Sequence, residues 1–570
     1  QGERFGNEIK NSFISFWMQG RLRLALYCFV PGLSSVYDTG VYPSVFGAKL
    51  FGNVPEERFL CLQNKRCDMM GLKSVLFSGI LLSVMAVGVQ AKPETGSGLD
   101  KSLLPQPVYS PEPGLVDLYW AAWDLAWGRV KHQNGIPQSP YMDENLWDDT
   151  IWIWDTEFMV LFCRYAPSLF PGIQSLDNFY KTILDGEPVS LKIWHPDNPP
   201  FFAWVEYEYY KMTGDKRRLE YVLEDNRYLQ RHFYWFEKLK RGGSRFSKMP
   251  VMLERREKGY LWGDVQSGMD NTPRGRGCNG EMLWMDALAQ QALAALYIER
   301  IAEVLDDPST AKEFAGEYAV KKDLLNKYYW DAEDGFYYDI EEATGDFVKV
   351  RTPAVYWAML AEVPGRKQAA RLVEYAQDED EFGGQYPWPS VSRSDADYNG
   401  TVGDYWRGGV WLPLAYMSTK ALETYGYHDV AHENARRLLA QMSETYKTFE
   451  PHSIWECYSP SAARPGQRVD GENLTLVAQD FCGWSALGPI SLFIENVLGF
   501  YNIDATARLV EWRKTGWGEQ GIRNLRFGDV HTDIVADGDT VRVVSDKEYV
   551  LKVNGKKYKV KAGTQAFTLK

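Results

Sequence analysis

The sequence predicts a mainly α protein, a toroid of α/α hairpins whose loops gather at one end, followed by a small C-terminal β module. Three observations predict it. Amphipathic runs with apolar residues at three-and-four spacing recur from about residue 105 to 498. The loops between them are rich in Pro, Gly, Asp and Trp, and read as connections rather than strands. From residue 506 onward the pattern changes to alternation of apolar and polar residues around turn dipeptides.

Taken from the N-terminus, residues 1–69 show no clear periodicity and read as an upstream extension rather than a domain. Met70-Gly71-Leu72-Lys73 then leads into the apolar run 75–89, and Val89-Gln90-Ala91 offers small residues where a signal peptidase cuts. Residues 70–91 are therefore expected to be a signal peptide, which makes the remainder secreted or periplasmic. The run is short for a membrane span and a polar stretch follows at once, so no stable membrane insertion is expected after cleavage. If 1–69 were a genuine extension, the apolar run would instead be an internal anchor. Residues 92–505 form the expected helical domain. Its predicted helices cover 115–130, 151–165, 201–212, 217–239, 281–305, 311–329, 410–425 and 428–446. Residues 506–570 form the β module, with hairpins around Asp537-Gly538 and Asn554-Gly555.

A net charge of −13 without an offsetting basic stripe argues against a nucleic-acid partner. The 21 Trp and 34 Tyr exceed what a core of this size needs, and such rings suit a cleft that receives a small carbohydrate. Cys28, Cys61 and Cys67 fall in the extension; Cys163, Cys278, Cys457 and Cys482 remain, without metal-site spacing. One disulfide among Cys278, Cys457 and Cys482 is conceivable in an oxidising compartment, but buried free thiols are the expectation. The acidic turn 331–335 lacks the ligand ladder of a calcium loop and reads as a hairpin turn, so no metal is expected.

Two short acidic motifs carry the chemistry. QSGMDNTPR (266–274) and SIWECYSP (453–460) each set one carboxylate, Asp270 and Glu456, among aromatics, small residues and prolines. Two such carboxylates are the minimum for cleaving a glycosidic bond: one protonates the leaving oxygen, and the other acts from the opposite face of the sugar. The plainer reading makes Asp270 and Asn271 turn caps and Glu456 half of an ion pair. A third group, YWRGGVW (405–411), offers Tyr405, Trp406, Arg407 and Trp411; Arg407 would hold a hydroxyl or carboxylate, or simply pair with Asp404. WIWDT (152–156) and WHPDNPP (194–200) read as further pocket walls.

The segments WDTEFM (154–159), SGMDNTPR (267–274), YWRGGVW (405–411), WECYSP (455–460) and FCGWSALGP (481–489), in this order, resemble the trehalase-like glycosidases, the clan of glycoside hydrolase families 37 and 63. The resemblance covers about residues 110–500. It implies an (α/α)6 toroid, inversion of anomeric configuration, no cofactor, Asp270 as general acid and Glu456 as general base. Carried over with it, Arg407, Trp406, Trp154 and Asp155 would line the subsite for the cleaved sugar, and Asn271, Arg274, Gln385, Trp388, Tyr405, Trp411, Trp455, Asp480 and Trp484 are the further candidates for binding substrate. The trehalase pattern of Gln-Trp-Asp followed by Pro and Trp is here QYPWP (385–389), without the Asp, and Asp480 stands where a Glu is often found. These departures favour the family 63 type over trehalose, and leave Asp480 as a second candidate for the base.

The expected activity is an exported, inverting α-glycosidase, most simply an α-glucosidase, acting on a short glycoside or oligosaccharide. A trehalase proper, a polysaccharide lyase or sugar epimerase on the same toroid, and a non-catalytic sugar-binding toroid are the alternatives. Lyases and epimerases usually need a paired His or Tyr base, and none of His132, His195, His232 and His452 is paired with another His. A binding protein would be expected to have lost one carboxylate.

Overall fold

Among the described residues, six helical segments are buried along most of their length, which only a helix surrounded by other helices tolerates. The computed structural model describes residues 98–144, 146–276 and 281–569. The expectations for 1–69, for the signal peptide at 70–91 and for Cys278 lie outside the described residues.

The labelled helices are α1 (Pro113–Trp127), α2 (Ile153–Cys163), α3 (Phe202–Thr213), α4 (Met285–Val304), α5 (Pro308–Leu324), α6 (Tyr356–Leu360), α7 (Arg366–Gln377), α8 (Leu412–Thr424) and α9 (His428–Thr448). The buried six are α2, α3, α4, α6, α8 and the π-wound helix Gly488–Val497. Each touches the next in this order, and Gly488–Val497 touches α2. The others are amphipathic and pack outside them: α5 on α4, α9 on α8 and on Gly488–Val497, α1 on α9 and on Gly488–Val497. The close approach at Gly488 requires glycine, because a Cβ there would stand 2.6 Å from Met442 Sδ and 3.0 Å from Leu412 Cδ1.

Several predicted helices need correction. The run 217–239 is two helices, Lys216–Glu220 with a π turn over Tyr221–Asp225, then Tyr228–Glu237. The chain reverses between them at Arg227, whose φ is +53°, while the Asn226 amide bonds back to the Tyr221 carbonyl. The run 281–305 begins as a strand, Met282–Leu283, before α4. Gly172–Ser175, Asp177–Tyr180, α6, α7 and Gly488–Val497 were not predicted; most are short, or apolar on every side, and so lack a 3.6-residue stripe. The turn at 331–335 does join a hairpin, Trp330–Asp331 with Phe336–Tyr337.

The β module begins earlier than expected, at Asn502, and takes in a strand from the other end of the chain. Its strands are β1 (Gln106–Tyr109), β2 (Asn502–Asp504), β3 (Leu509–Trp512), β4 (Gln520–Phe527), β5 (Val530–Asp537), β6 (Thr540–Ser545), β7 (Tyr549–Val553), β8 (Lys556–Val560) and β9 (Gly563–Thr568). One sheet has the order β1-β4-β5-β6-β9 and the other β2-β3-β7-β8. All pairs are antiparallel except β3 with β7. Alternate residues of β5 are buried, as its sequence alternation requires. At the bulge in β4, Asn524 (φ +55°) donates to the Ser102 and Leu104 carbonyls and ties down the segment before β1.

Cys163, Cys457 and Cys482 are free and buried, as expected for these three. No helix of the described residues is long and apolar enough to cross a membrane. A cavity of about 510 Å³ lies where the C-terminal ends of α2, α3, α4, α6 and α8 meet β2 and β3, lined by Arg164, Glu208, Arg300, Lys420 and Glu495 among others. The acidic motifs sit near the opposite, N-terminal ends of the inner helices.

Candidate active site

Asp270 rides on a loop fixed from both sides. On one, Ser267 and Met269 donate backbone N–H groups to Gly263 and Asp264, and the turn passes through Gly268 at φ +84°. A Cβ on Gly268 would meet the Trp154 indole at 3.0 Å, so Trp154 is the surface against which the loop is folded. On the other, Arg274 is 2% exposed, lies over Trp284 and forms two-pronged bonds to Asp286, in the first turn of α4, and to Asp339 of strand Asp339–Glu341. A guanidinium so committed cannot also reach a sugar. The expectation that Arg274 binds substrate is corrected: it anchors the acid loop.

Glu456 sits on an extended segment between Val410 and Gln479, to which its neighbours Tyr458 and Trp455 are bridged. Its N–H donates to the Ala478 carbonyl, and its own carbonyl accepts from Trp484 Nε1. The carboxylate accepts from the Tyr405 hydroxyl (2.7 Å) and from the Ala478 N–H (3.1 Å). It is 4% exposed and has no cation bonded to it among the described residues, so it is not half of a salt bridge.

The two carboxylates lie within electrostatic reach of each other, and their environments differ. Burial, reinforced by the charges of Glu456 and Asp264 and opposed by Arg468, pushes half-buried Asp270 up to about 7. Burial also raises Glu456, but the Tyr405 hydroxyl, the Ala478 N–H and Arg468 all favour its ionised form. Asp155, 5% exposed in the first turn of α2, is raised by burial and by the charges of Glu144, Glu456 and Asp270. Glu144 is 3% exposed and raised to about 8, chiefly by burial. The site is thus four carboxyl groups in apolar surroundings, more than can all be ionised at neutral pH.

Asn271 joins the Asp270 loop to the Tyr405 loop. Its side chain accepts from the Trp406 N–H (2.8 Å) and donates to the Asp404 carbonyl (3.0 Å), while Arg407 Nε donates to its backbone oxygen (3.2 Å). Asn271 therefore positions the Tyr405 loop. Arg407 pairs with the acid loop, and its link to Asp404 is backbone only, N–H to carbonyl. Four residues flanking the site hold positive φ without being glycine: Trp388 (+67°), Asp404 (+36°), Tyr405 (+63°) and Asp480 (+54°). Such geometry persists only where the surroundings over-determine it.

The predicted subsite divides accordingly. Asp155, Tyr405 and Trp484 border the carboxylates through the contacts above, while Trp154 and Trp455, each 2% exposed, pack behind them. Trp406 and Trp411 stack on each other at 3.9 Å, at 1% and 0% exposure, and Trp388 at 0% meets Tyr356 edge-on. Their faces are covered by protein, so the expectation that these three receive a sugar is corrected; they stiffen the wall behind Tyr405. Gln385 is exposed and its amide reaches the Tyr386 hydroxyl (3.4 Å). Asp480 accepts from Ser453 Oγ (2.7 Å) in the turn beside Glu456. His195 and His232 are buried among aromatic rings, where burial lowers them to about 4 and 3. Sequence reasoning missed Glu144, although Asp143-Glu144 between Tyr141 and Trp147 repeats the acid-among-aromatics signal of Glu456. It also missed Arg468, which lies in a polar run with no distinguishing pattern.

The family model for the mannosylglycerate hydrolase MGH1-like glycoside hydrolase domain matches residues 193–472. Over 483 residues, 80% of this chain and 95% of the other, the chain is 25% identical to an uncharacterized protein of Borreliella burgdorferi. It is 26% identical over 289 residues to a probable mannosyl-oligosaccharide glucosidase of Schizosaccharomyces pombe, covering 47% of this chain and 34% of that protein. The chain thus spans about a third of that glucosidase. The solved mannosylglycerate hydrolase of Thermus thermophilus in complex with glucose superposes with a TM-score of 0.50 at 18% identity, over 66% of this chain and 99% of that one, a likeness of fold. With these matches the chain fits the clan of glycoside hydrolases that holds families 37 and 63. Within that clan it lies nearer the family 63 type.

Proposed function

We propose that the protein is an exported, inverting α-glycosidase with an (α/α)6 toroid, hydrolysing a short α-linked glycoside or oligosaccharide, with glucose as the sugar cleaved. The observation that carries this reading is the pairing of Asp270, pushed up to about 7, with Glu456, which burial raises but which Tyr405 and Ala478 bond in its ionised form. Asp270 then enters the reaction protonated and gives its proton to the glycosidic oxygen. Glu456, ionised, takes a proton from the water that attacks the anomeric carbon from the opposite face. Inversion needs a gap of roughly 6.5–9.5 Å between the carboxyl groups for that water. Trp484 borders the site with apolar surface, and Asp155 offers acceptors for sugar hydroxyls. The ring of six inner helices supports the toroid reading, and the segment 70–91 supports export. The named relatives act on glucosylated or mannosylated substrates, which motivates a panel containing both sugars.

The test is hydrolysis of α-glucosides and α-mannosides of small acceptors by the wild type, D270N and E456Q. The reading expects the wild type to cleave at least one and both variants to lose ~10²–10⁴-fold in kcat, the range for a lost general acid or base. Activity that survives in either variant would remove that residue from its role.

A further inference from the structure

Between Gly466 and Val477 the chain leaves the body as a two-stranded arm, Gln467–Asp470 paired with Asn473–Leu476 around a turn at Gly471. Apart from Gln467 its strand residues are exposed, including Val469, Leu474 and Leu476, so it has no core of its own. Yet the arm touches the site at three successive residues. Gln467 N–H donates to the Val402 carbonyl (3.3 Å) and Val469 N–H to the Asp404 carboxylate (2.9 Å). The Arg468 guanidinium lies 4.5 Å from the centre of the Tyr405 ring, and no carboxylate pairs with it among the described residues.

We propose that this arm is a positioning device for the base: Arg468 clamps the ring of Tyr405, and through the Tyr405 hydroxyl it holds Glu456 in register with Asp270. The reasoning starts from the backbone. Asp404 and Tyr405 occupy two successive left-handed positions, which side-chain-bearing residues adopt only when held. Asn271 of the acid loop holds the turn from one side, at the Asp404 carbonyl and the Trp406 N–H. The arm holds it from the other, at the Asp404 carboxylate and the Tyr405 ring. A cation over an aromatic face is a directional contact even at an exposed site such as that of Arg468. Released from it, the strained turn relaxes and the 2.7 Å bond from Tyr405 to Glu456 lengthens. Arg468 is also the cation that acts on both Asp270 and Glu456. The other charged or titratable groups facing that pair are Glu144, Asp155, Asp264, Tyr405, Arg407 and Cys457. The inference rests on the glycosidase reading above.

The experiment compares wild type, R468A, R468K and a chain in which 467–476 is replaced by Gly-Gly, a closure that the Val477 N–H to Gly466 carbonyl bond makes short. Thermal melts serve as the folding control; if the shortened chain does not fold, R468A carries the test. The expected result is a kcat about 10–100-fold lower in R468A and the shortened chain, the scale of a small misplacement of a reacting group, with KM within about threefold. Both limbs of the pH profile should move upward, because both carboxylates lose the same cation; R468K should restore the profile but not the full kcat. An unchanged kcat and profile, or a rise in KM alone, would overturn the proposal and make the arm inert or a substrate wall. If the wild type cleaves no glycoside, the functional reading fails. The arm is then tested by the infrared titration of the Glu456 carboxylate, by difference against E456Q. R468A should shift it upward, and no shift overturns the clamp.

Discussion

Asp270 shows at the scale of one residue how function costs stability. A carboxyl raised in the folded chain binds more protons there than in the unfolded chain between the two pKa values. The Asp270 contribution is therefore fully present below about pH 4 and falls as pH rises through about 7; Glu144 and Asp155 act in the same direction. Above pH 7 the protein holds a carboxylate that burial disfavours, so D270N should be more stable there than wild type. At about 1.4 kcal/mol per pKa unit, discounted for the solvent that reaches this half-buried group, the gain should be ~2 kcal/mol at pH 8 and near zero at pH 4. Urea unfolding at the two pH values checks it; equal stability at pH 8 would mean that Asp270 is ionised without penalty. That Asp270 and Glu456 stand out as a pair was legible in the sequence, because an acid among Trp, Met, Pro and Gly costs free energy to bury, and the fold brings the two within electrostatic reach. Arg274 was misread for a physical reason: its neighbours in sequence are those of the acid, and only Asp286 and Asp339, brought in by the fold, show that its donors are spent.

At the scale of elements, the acid loop is held by a buried triad, Asp286–Arg274–Asp339. Removing the cation leaves two buried carboxylates facing each other at its place, so R274A should cost roughly 3–5 kcal/mol. It should also lower kcat at temperatures where the fold persists, because the loop carrying Asp270 loses its outer anchor. R274K should recover part of the stability and little of the activity, since an ammonium cannot make both two-pronged bonds. Chemical unfolding alongside kcat separates the two effects; a variant with full activity would show that Gly268 and Trp154 suffice to hold the loop. Helices with one apolar stripe, such as α9, were read from sequence nearly to the residue. Those apolar on every side, such as Gly488–Val497, gave no periodicity to read. The break at Arg227 was hidden because a left-handed Arg carries no compositional mark.

At the scale of the whole molecule, the mainly helical body and the C-terminal β module were legible, since a switch from a period near 3.6 to one of 2 is a strong signal. The strand exchange between chain ends was not: β1 is four residues beginning QPV, and its partner β4 lies more than four hundred positions away. That exchange makes the β module depend on the start of the helical domain. A chain beginning at Pro113 should expose the edge of β4 and leave the Asn524 amide without the Ser102 and Leu104 carbonyls. It should melt lower by several degrees, at about 2–4 °C per kcal/mol for domains of roughly 150–250 residues and less for a larger one, or aggregate. An unchanged melt would show that β1 is dispensable. The central claim, that Asp270 and Glu456 act on opposite faces of one sugar with a water between, is tested most directly by proton NMR of the product of a cleaved α-glycoside in its first minutes. The β-anomer should appear first, with D270N silent; the α-anomer first would place the two carboxylates on a retaining path and contradict the account.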